Sequence, residues 1–371
     1  MSVLHFDIFC RVVDNYGDIG VCWRLARQLA APPHQKNVRL WVDDLHSFKR
    51  LEPRLQTELN EQHIDGVTVH PWNDAQSFPP PAEVVIEAFA CELPDTYKAA
   101  ITDKTVWLNL EYLSAEDWVE DCHAQPSPQQ QGKRKYFFFP GFTERTGGLL
   151  REENLKQQRL SWQQDQSNAQ ALWSKIGLSE RTQIELMHGQ RRQILLFSYP
   201  SAPVMALLQA LQQGNHDTLV LSPTPFTPEQ QVLSNDHLQL HHFNFVSQQE
   251  FDHLLWSSDL NFVRGEDSLV RALWAAKPFI WQPYEQEEGL HTKKLQALLD
   301  RSPMNQAVQT LMLTWSNCDS QQFTDQYLSC MQAPMWHRWR EEALQWHNTL
   351  LQQKDLCTHL LEFCTKHQPT Q

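Results

Sequence analysis

The chain has 371 residues, 41% of them hydrophobic, which is enough for two domains with apolar cores. Its formal net charge of -13 at pH 7 argues against the basic face that binds nucleic-acid phosphates, so we expect no nucleic-acid partner. No apolar run approaches membrane-spanning length and the first residues lack a signal-peptide pattern, so we expect a cytoplasmic protein without membrane association.

Short apolar runs alternate with longer amphipathic runs in the first half of the chain, a pattern typical of a parallel, doubly wound α/β sheet. A helix is expected over Val21–Ala30, between the first two predicted strands. Two polar segments interrupt the alternation: Gln125–Lys133 is expected to be a loop, and Arg151–Gln170 a bridging or poorly packed segment. The predicted strands are Leu4–Val13, Val38–Val42, Val67–Val69, Val84–Phe89, Val106–Leu110 and Tyr136–Phe139.

The same alternation begins again at Gln193 and predicts a second Rossmann-like unit. Beyond Pro334 the pattern is almost entirely helical, from Met335 to Thr365, with no further strand to pair. The predicted strands are Ile194–Tyr199, Leu219–Leu221, Leu238–Phe245, Leu260–Val263 and Pro278–Trp281. The predicted helices between them are Ala202–Gln213, Gln248–Trp256 and Ser268–Ala276.

This organisation predicts two similar α/β domains. We assign residues 1–155 to an N-terminal Rossmann-like domain, completed by helices over residues 335–366 that pack back on it. Residues 170–333 form the predicted C-terminal Rossmann-like domain. Two such domains facing each other across a cleft form the GT-B architecture of glycosyltransferases. Two-domain dehydrogenases and periplasmic binding proteins share the general layout, so the fold class alone leaves the function open.

The first candidate site is the glycine-punctuated turn Asp14–Gly20, which carries Asp14 and Asp18 and directly follows the first predicted strand. In open α/β sheets, ligands lie at the carboxyl ends of strands, where such turns project. The turn lacks the Gly-x-Gly-x-x-Gly pattern that lets a dinucleotide approach the backbone, which argues against a dehydrogenase. Its two acids favour an enzyme that handles a cation or a proton. The alternative is that Asp14 begins a turn and Asp18 caps the helix at Ile19.

The second candidate site is the loop Arg264–Ser268, which follows a predicted strand. Asp267 or Ser268 is a suitable N-cap, and the exposed amides at a helix start bind anions. Arg264 can add a charge-assisted contact to phosphate, so a diphosphate-bearing donor fits here. The alternative is that the two polar residues only cap the helix while Arg264 pairs with a nearby acid.

Aromatic residues gather at the predicted strand ends and turns of the second domain. Such rings can sandwich a nucleobase, although phenylalanine is more commonly buried in a core. Gln248 follows the turn after Phe245 and is placed to read the edge of a pyrimidine. The aromatic residues concerned are Phe197, Tyr199, Phe245, Phe251 and Tyr284.

The cysteine and histidine patterns give no support for a metal site. None of the eight cysteines forms a Cys-x-x-Cys pair. His241 and His242 lie in a predicted strand without a nearby set of carboxylates. We therefore expect neither a metal nor a bound cofactor.

These loops resemble the EarP family of bacterial protein-arginine rhamnosyltransferases. The resemblance rests on Phe6–Phe9 with the run Asp14–Leu29, on Arg264–Ser268 and on Trp281–Gln286, and it extends over the whole chain. It implies a GT-B enzyme that transfers rhamnose from dTDP-β-L-rhamnose to one arginine at a loop tip of translation elongation factor P. The implied transfer inverts the sugar and needs no metal, and the modified factor rescues ribosomes stalled at polyproline.

The resemblance also implies that the domain of residues 1–155 binds the acceptor and that of residues 170–333 the nucleotide sugar, and it implies roles for individual residues. Asp18 is the implied base and Asp14 assists it, while Glu266 matches a glutamate that activity requires. Contacts to the donor phosphates are implied at Arg264, Asp267 and Ser268. Rings that hold the thymine are implied at Phe245 and Phe251. The remaining donor contacts are implied at Asn15, Tyr16, Gly17, Phe197, Tyr199, Gln248, Gly265 and Tyr284.

Two other hypotheses stay open at the level of sequence. Another GT-B nucleotide-sugar transferase, or an epimerase, would share the donor loop, but a hydroxyl acceptor needs only one base rather than the pair Asp14 and Asp18. A non-catalytic binder of a translation factor would use its acidic surface as a clamp, but it would not need Glu266 or a phosphate loop.

Overall fold

The computed structural model describes residues 4–13, 16–285 and 289–368, and the chain divides into two compact units. The first unit comprises Met1–Glu153 and Gln352–Gln371, and the second comprises Asn154–Leu351. Each unit contains its own β-sheet and helices, as the alternating sequence pattern predicts.

The first unit has a mostly parallel sheet. Its strands are β1 (His5–Cys10), β2 (Asn37–Val42), β3 (Gln62–Ile64), β4 (Val67–Pro71), β5 (Val84–Ala88), β6 (Val106–Leu110), β7 (Pro126–Pro128) and β8 (Arg134–Phe138). Its helices before residue 153 are α1 (Gly17–Ala30), α2 (Leu45–Leu51), α3 (Asp95–Ala100) and α4 (Trp118–Cys122). Over the described residues the strand order is β3-β4-β2-β1-β5-β6-β8-β7. The central strands are parallel, so their carboxyl ends meet at one edge.

Strands β3 and β7 are absent from the sequence prediction. Both are three-residue strands that run antiparallel to a neighbour, β3 to β4 and β7 to β8. β7 lies within Gln125–Lys133, the segment expected to be a loop. Its two prolines are tolerated because an edge strand leaves one row of backbone groups without a ladder partner. The expectation of a simple loop is therefore wrong at this edge of the sheet.

A buried carboxylate joins β1 to its surroundings. Asp7 accepts hydrogen bonds from Arg39 Nε and Nη2, each at 2.6 Å, and from Trp41 Nε1 at 3.0 Å. The backbone N–H of Ala82 and the hydroxyl of Tyr97 donate to the same carboxylate at 2.9 and 2.5 Å. Because Asp7 is fully buried, these donors offset the cost of removing its charge from water. Strands β1 and β2, helix α3 and the segment before β5 are thus joined at one point.

The second unit has a fully parallel sheet over the described residues. Its strands are β9 (Arg192–Leu196), β10 (Thr218–Ser222), β11 (Leu238–His242), β12 (Leu260–Arg264) and β13 (Phe279–Gln282). Its helices are α5 (Leu155–Gln164), α6 (Gln166–Lys175), α7 (Glu180–Met187), α8 (Val204–Gln213), α9 (Pro228–Gln231), α10 (Gln248–Ser257), α11 (Gly265–Ala275), α12 (Leu290–Asp300), α13 (Gln306–Ser316), α14 (Ser320–Cys330) and α15 (Ala333–Leu350). The strand order is β11-β10-β9-β12-β13, which is the predicted Rossmann-like arrangement.

The segment Arg151–Gln170 is better packed than its composition indicates. It contains α5 and the first half of α6. Arg159 is buried and donates from Nη1 to the carbonyl of Ala275 at 2.9 Å, at the end of α11. Gln163 donates to the carbonyl of Trp256 at 2.9 Å, near the end of α10. Its polar residues therefore satisfy carbonyl groups that helix ends leave without intrahelical donors.

The helical stretch predicted over residues 335–366 is two helices that belong to different units. Helix α15 lies in the second unit, where the Trp346 ring stacks on Phe279 at 5.9 Å between centroids. Helix α16 (Leu356–His367) lies in the first, where the Leu356 N–H donates to the carbonyl of Leu149 at 2.9 Å. Only α16 therefore completes the first unit. Periodicity predicts a helix but not which sheet its apolar face will cover. Among residues 4–13, 16–285 and 289–368, no helix is long and apolar enough to cross a bilayer.

We expect the substitution Asp7→Asn to lower the free energy of unfolding by about 3–5 kcal/mol, because it leaves the Arg39 guanidinium without its buried carboxylate. Urea denaturation followed by circular dichroism measures the change. The control Asp95→Asn removes an exposed carboxylate that pairs with Lys98 and should leave the midpoint unchanged. An Asp7→Asn midpoint equal to the wild-type value would contradict the role of Asp7 as the joint of this unit.

Protonation of His123 should destabilise the fold. Its Nδ1 accepts the N–H of Phe139 at 3.1 Å, and burial lowers the pKa of His123 from 6.5 to about 4. The folded pKa lies below the unfolded one, so the stabilisation is complete above about pH 6.5 and is lost as the pH falls towards 4. Between pH 7.5 and 5 this group should cost about 2 kcal/mol of unfolding free energy. Denaturation at both pH values should show a smaller loss for His123→Gln than for wild type, and equal losses would refute the assignment.

Candidate active site

Asp18 is held at the carboxyl end of β1, the central strand of the first unit. Helix α1 begins at Gly17, four residues before the predicted start, because Gly17, Asp18 and Gly20 are weak helix formers that hide the first turn from pattern analysis. Asp18 therefore lies inside the first turn rather than at its cap. Its side chain is almost fully buried, and Oδ2 accepts the N–H of Val13 at 2.9 Å. The carboxylate is thus fixed against the segment that leads to Asp14.

Asp14 and Asn15 lie outside the described residues, so their predicted roles stay predictions. The neighbouring Tyr16 is the N-cap residue of α1, and its hydroxyl accepts a hydrogen bond from Arg50 Nη1 at 2.6 Å. Gly17 is the first residue of the helix. Of the predicted first loop, Tyr16 and Gly17 therefore lie at the start of α1, and Arg50 of α2 positions the Tyr16 hydroxyl.

Sequence analysis missed Asp43, a further carboxylate at this edge. Asp43 follows β2, and its Oδ1 accepts the N–H of Val12 at 2.9 Å. Burial raises the pKa of Asp43 above its ordinary value. The consecutive amides of Val12 and Val13 are thus held by two carboxylates from different elements. The signal was present in the sequence, because Asp43 directly follows a predicted strand that neighbours the first.

The second unit brings Arg264 together with predicted aromatic residues. The guanidinium carbon of Arg264 lies 4.6 Å from the ring centroid of Phe197 and 4.5 Å from that of Tyr199. Phe251 meets Phe197 edge-on at 5.4 Å, and Tyr284 meets Tyr199 edge-on at 5.8 Å. These residues follow or face adjacent strands of the sheet, so the structure gathers rings and a cation at one edge. A cation between π-faces remains available to a diphosphate while the rings can stack on a base.

The helix after Arg264 begins earlier than the sequence predicts. Helix α11 starts at Gly265, with Arg264 as its N-cap residue and without a side-chain cap hydrogen bond. The expectation that Asp267 or Ser268 is the N-cap is wrong, because both lie within the first turn, where the Ser268 hydroxyl donates to the carbonyl of Arg264. Gly265 has φ of +66°, which favours glycine. Trp281 Nε1 donates to the carbonyl of Gly265 at 2.8 Å and fixes this turn.

Both acids in the first turn of α11 are paired with cations. Glu266 forms an ion pair with Lys294, and Asp267 accepts from Arg271 Nε at 2.8 Å. Arg271 also donates to Asp252 at 2.7 Å and so links α10 to α11. Pairing offsets the negative charge that would otherwise oppose an anion at the helix amides. Sequence analysis missed Arg271 and Lys294, because their partners are identified only by helix register and tertiary packing.

The remaining predicted donor residues lie near α10. Gln248 is its first residue and is buried, and its carbonyl faces Arg271 Nη1 at 3.5 Å. Phe245 is an exposed residue of the segment between β11 and α10. Gln282, which sequence analysis missed, ends β13 and accepts the N–H of Tyr199 at 3.0 Å. Gln282 therefore positions one of the two rings that contact Arg264.

No group of three or more histidine, cysteine, aspartate or glutamate side chains converges as a possible metal site within residues 4–13, 16–285 and 289–368. The expectation of a metal-independent site stays a prediction.

The chain has two α/β units, each with a mainly parallel sheet, and the second unit carries a cation, aromatic rings and helix amides at the carboxyl ends of its strands. This combination is typical of the GT-B glycosyltransferases. A UGT transferase from Siraitia grosvenorii in complex with UDP has the same fold at 10% identity, with a TM-score of 0.53 over 98% of this chain and 100% of its own. A solved structure described as the structural basis for EarP-mediated arginine glycosylation of translation elongation factor EF-P is 29% identical. It covers 98% of this chain and 99% of its own with a TM-score of 0.66.

Sequence relatives narrow the class to one family. The protein-arginine rhamnosyltransferase of Shewanella oneidensis is 41% identical over 98% of this chain and 98% of its own. That of Pseudomonas aeruginosa is 40% identical over 96% of this chain and 98% of its own. The family model described as Elongation-Factor P (EF-P) rhamnosyltransferase EarP matches residues 6–365. The chain therefore belongs to the EarP family, which confirms the predicted resemblance, the GT-B fold and the enzyme class of protein-arginine rhamnosyltransferase.

If the predicted donor site binds a nucleoside diphosphate such as dTDP, we expect Arg264→Ala to weaken that binding by about 10- to 100-fold, because a charge-assisted contact contributes about 1.5–3 kcal/mol. Arg264→Lys should recover part of the affinity, since lysine keeps the charge but not the planar face that stacks on Phe197 and Tyr199. Isothermal titration calorimetry measures both variants. Arg181→Ala, which removes an exposed arginine of the same unit, is the matched control. An Arg264→Ala variant that binds dTDP with wild-type affinity would show that Arg264 does not contact the donor.

Proposed function

We propose that this chain transfers rhamnose from dTDP-β-L-rhamnose to a loop arginine of translation elongation factor P, with inversion and without a metal. The observation that carries the proposal is the pairing of Arg264 with two rings at a helix start whose own acids are engaged by Lys294 and Arg271. The names of the relatives support an arginine acceptor, and the solved structure at 29% identity supports elongation factor P.

On the donor side, the proposed reaction mainly requires stabilisation of the negative charge on the leaving diphosphate. Loss of dTDP from the anomeric carbon passes through an oxocarbenium-like state, and negative charge develops on the leaving diphosphate. The amides at the start of α11 and the guanidinium of Arg264 stabilise that charge. These donors supply what a metal supplies in other transferases, so the proposed reaction is metal-independent. A single displacement by nitrogen then inverts the anomeric centre and gives an α-linked product.

The acceptor is a poor nucleophile. A guanidinium has a pKa above 12 and its lone pairs are delocalised. A carboxylate with an ordinary pKa near 3.9 is weaker by roughly nine units, which corresponds to about 12 kcal/mol, so it does not deprotonate arginine beforehand. Asp18 instead accepts a hydrogen bond from the attacking nitrogen and takes the proton as the bond to the sugar forms, when the nitrogen becomes acidic.

Anchoring suits Asp18 to this role. Its hydrogen bond from Val13 fixes one oxygen and leaves the carboxylate oriented at the strand edge. By the family resemblance, Asp14 holds the rest of the guanidinium and Glu266 supports the donor side. Two acids facing one fixed cation localise electron density on the attacking nitrogen, which a hydroxyl acceptor would not require.

We place the reaction in the cytoplasm, where elongation factor P works and where its modification rescues ribosomes stalled at polyproline. All eight cysteines are free thiols, and six of them are buried, as expected for a reducing compartment.

The test is intact-mass spectrometry of elongation factor P after incubation with the protein and dTDP-β-L-rhamnose. We expect a gain of one deoxyhexose, localised to a loop arginine by fragmentation. Asp18→Asn should reduce the rate by at least about 100-fold, because general-base catalysis contributes about 10²–10⁴.

Asp95→Asn is the control for this substitution, since it changes an exposed carboxylate of the same unit that pairs with Lys98 and has no part in the candidate site. Its rate should remain within a few fold of wild type. Donor binding without any mass gain would leave another nucleotide-sugar transferase or an epimerase. Acceptor binding without donor binding would favour the non-catalytic binder.

A further inference from the structure

The segment after β5 in the first unit has an unusual backbone. Phe89, Ala90 and Glu92 all have positive φ, at 56°, 52° and 54°. Residues other than glycine rarely adopt this conformation, which persists only where the surroundings hold it and which is concentrated at functional sites. We therefore examined which side chains this strained backbone exposes.

Hydrogen bonds hold the segment in this conformation. The N–H of Phe89 donates to the carbonyl of Leu110 at 2.7 Å, and that of Ala90 donates to Asn109 Oδ1 at 3.0 Å. These two contacts tie it to β6. The Cys91 thiol donates to the carbonyl of Phe9 at 3.5 Å, next to the end of β1. The strained segment is thus a fixed part of the edge that carries Asp18.

The segment displays an aromatic pair. The ring of Phe89 stacks on Tyr112 with 4.5 Å between centroids and 18° between planes. Phe89 is half-buried and Tyr112 keeps 39% of its surface exposed. We call these two residues the aromatic platform. Phe89 directly follows β5 and Tyr112 follows β6, so the platform lies at the carboxyl ends of two neighbouring parallel strands.

Other exposed apolar residues of the first unit lie at the same edge. Val13 follows β1 and is 69% exposed, and Trp118 begins α4 after β6 and is 50% exposed. Among the described residues of this unit, Leu59, at 41%, is the one large exposed apolar residue away from the edge. Apolar surface gathered beside a catalytic carboxylate is typical of a site that binds a protein.

Two carboxylates lie next to the platform along the chain. Glu111 directly follows β6, is half-buried and accepts from Asn109. Glu92 is exposed within the strained segment. With a net charge of -13 on the chain, these two carboxylates complement a basic polypeptide. Planar, cationic and apolar side chains are the groups that stack on exposed tyrosine and phenylalanine rings.

We propose that the aromatic platform of Phe89 and Tyr112 docks the polypeptide on either side of the target arginine, in a protruding loop of the acceptor protein. The inference rests on the proposed function, since it assumes a protein acceptor. The ring contacts and the Asp18 carboxylate would then be positioned from one rigid edge, so that docking aligns the arginine with its base.

The test compares Tyr112→Ala with wild type in initial-rate titrations of elongation factor P at saturating dTDP-β-L-rhamnose. We expect the KM for the acceptor to rise at least about tenfold, as for a tyrosine at the centre of an interface, while kcat stays within about twofold. The affinity for dTDP should be unchanged. Tyr112→Phe should behave as wild type, because the ring rather than the hydroxyl makes the contact. Leu59→Ala, which removes an exposed apolar side chain elsewhere in the unit, is the matched control.

The outcomes separate this inference from the proposed function. If wild type modifies elongation factor P and Tyr112→Ala has an unchanged acceptor KM, the platform is not the docking surface. A fall in kcat with an unchanged KM would also overturn it. A shift from dimer to monomer in sedimentation, with unchanged kinetics, would assign the platform to a second copy of the chain and overturn it too. If wild type does not modify elongation factor P at all, the proposed function fails and the inference fails with it.

Discussion

The first unit depends on the buried carboxylate of Asp7. Its five donors come from β2, from the segment before β5 and from α3, so they fix β1 on both sides. The residues that we propose to act on the acceptor are held in place by contacts near the end of β1. Asp18 is anchored to the backbone that leaves β1, and the strained segment contacts the carbonyl of Phe9 near its end. An apolar core alone would tolerate small shifts of a strand, whereas directed hydrogen bonds to a buried charge specify one position.

The second unit solves a different electrostatic problem. A site for a diphosphate benefits from helix amides, yet the first turn of α11 carries Glu266 and Asp267. Ion pairs with Lys294 and Arg271 leave Arg264 and the amides to define the local potential. Arg271 also joins α11 to α10, the helix that begins at Gln248, and so connects the residues proposed to bind the phosphates with those proposed to bind the nucleobase. Arg271 therefore both pairs with the negative charge of Asp267 and holds α11 against α10.

The sequence predicts what is local and leaves out what depends on packing. Strand-end turns are recognisable in the sequence because glycine and aspartate interrupt apolar runs. This signal correctly predicted that Asp18 follows β1 and that Arg264 lies at the end of β12. Helix starts are wrong by a few residues, since Gly17 and Gly265 are weak helix formers that nevertheless begin helices where a neighbour fixes the turn. The assignment of α15 to the first unit is wrong because an amphipathic pattern does not show which sheet the helix packs against. Pairs such as Asp43 with Val12 join residues whose proximity only the fold reveals.

Rigidity at the edge of the first sheet matters because of the chemistry. A weak base takes a proton from arginine only as the new bond forms, so it must already face the nitrogen when the sugar arrives. A displacement of about 1 Å costs roughly 10²-fold in rate, which makes loose docking ineffective even where binding is tight. The proposed base, Asp18, is held by the N–H of Val13 after β1, and the platform is held to β1 and β6 through the Cys91 and Phe89 contacts, so both have fixed positions on one sheet. The positive φ angles of Phe89 and Ala90 are then understandable, because a relaxed loop would present the same rings in many positions.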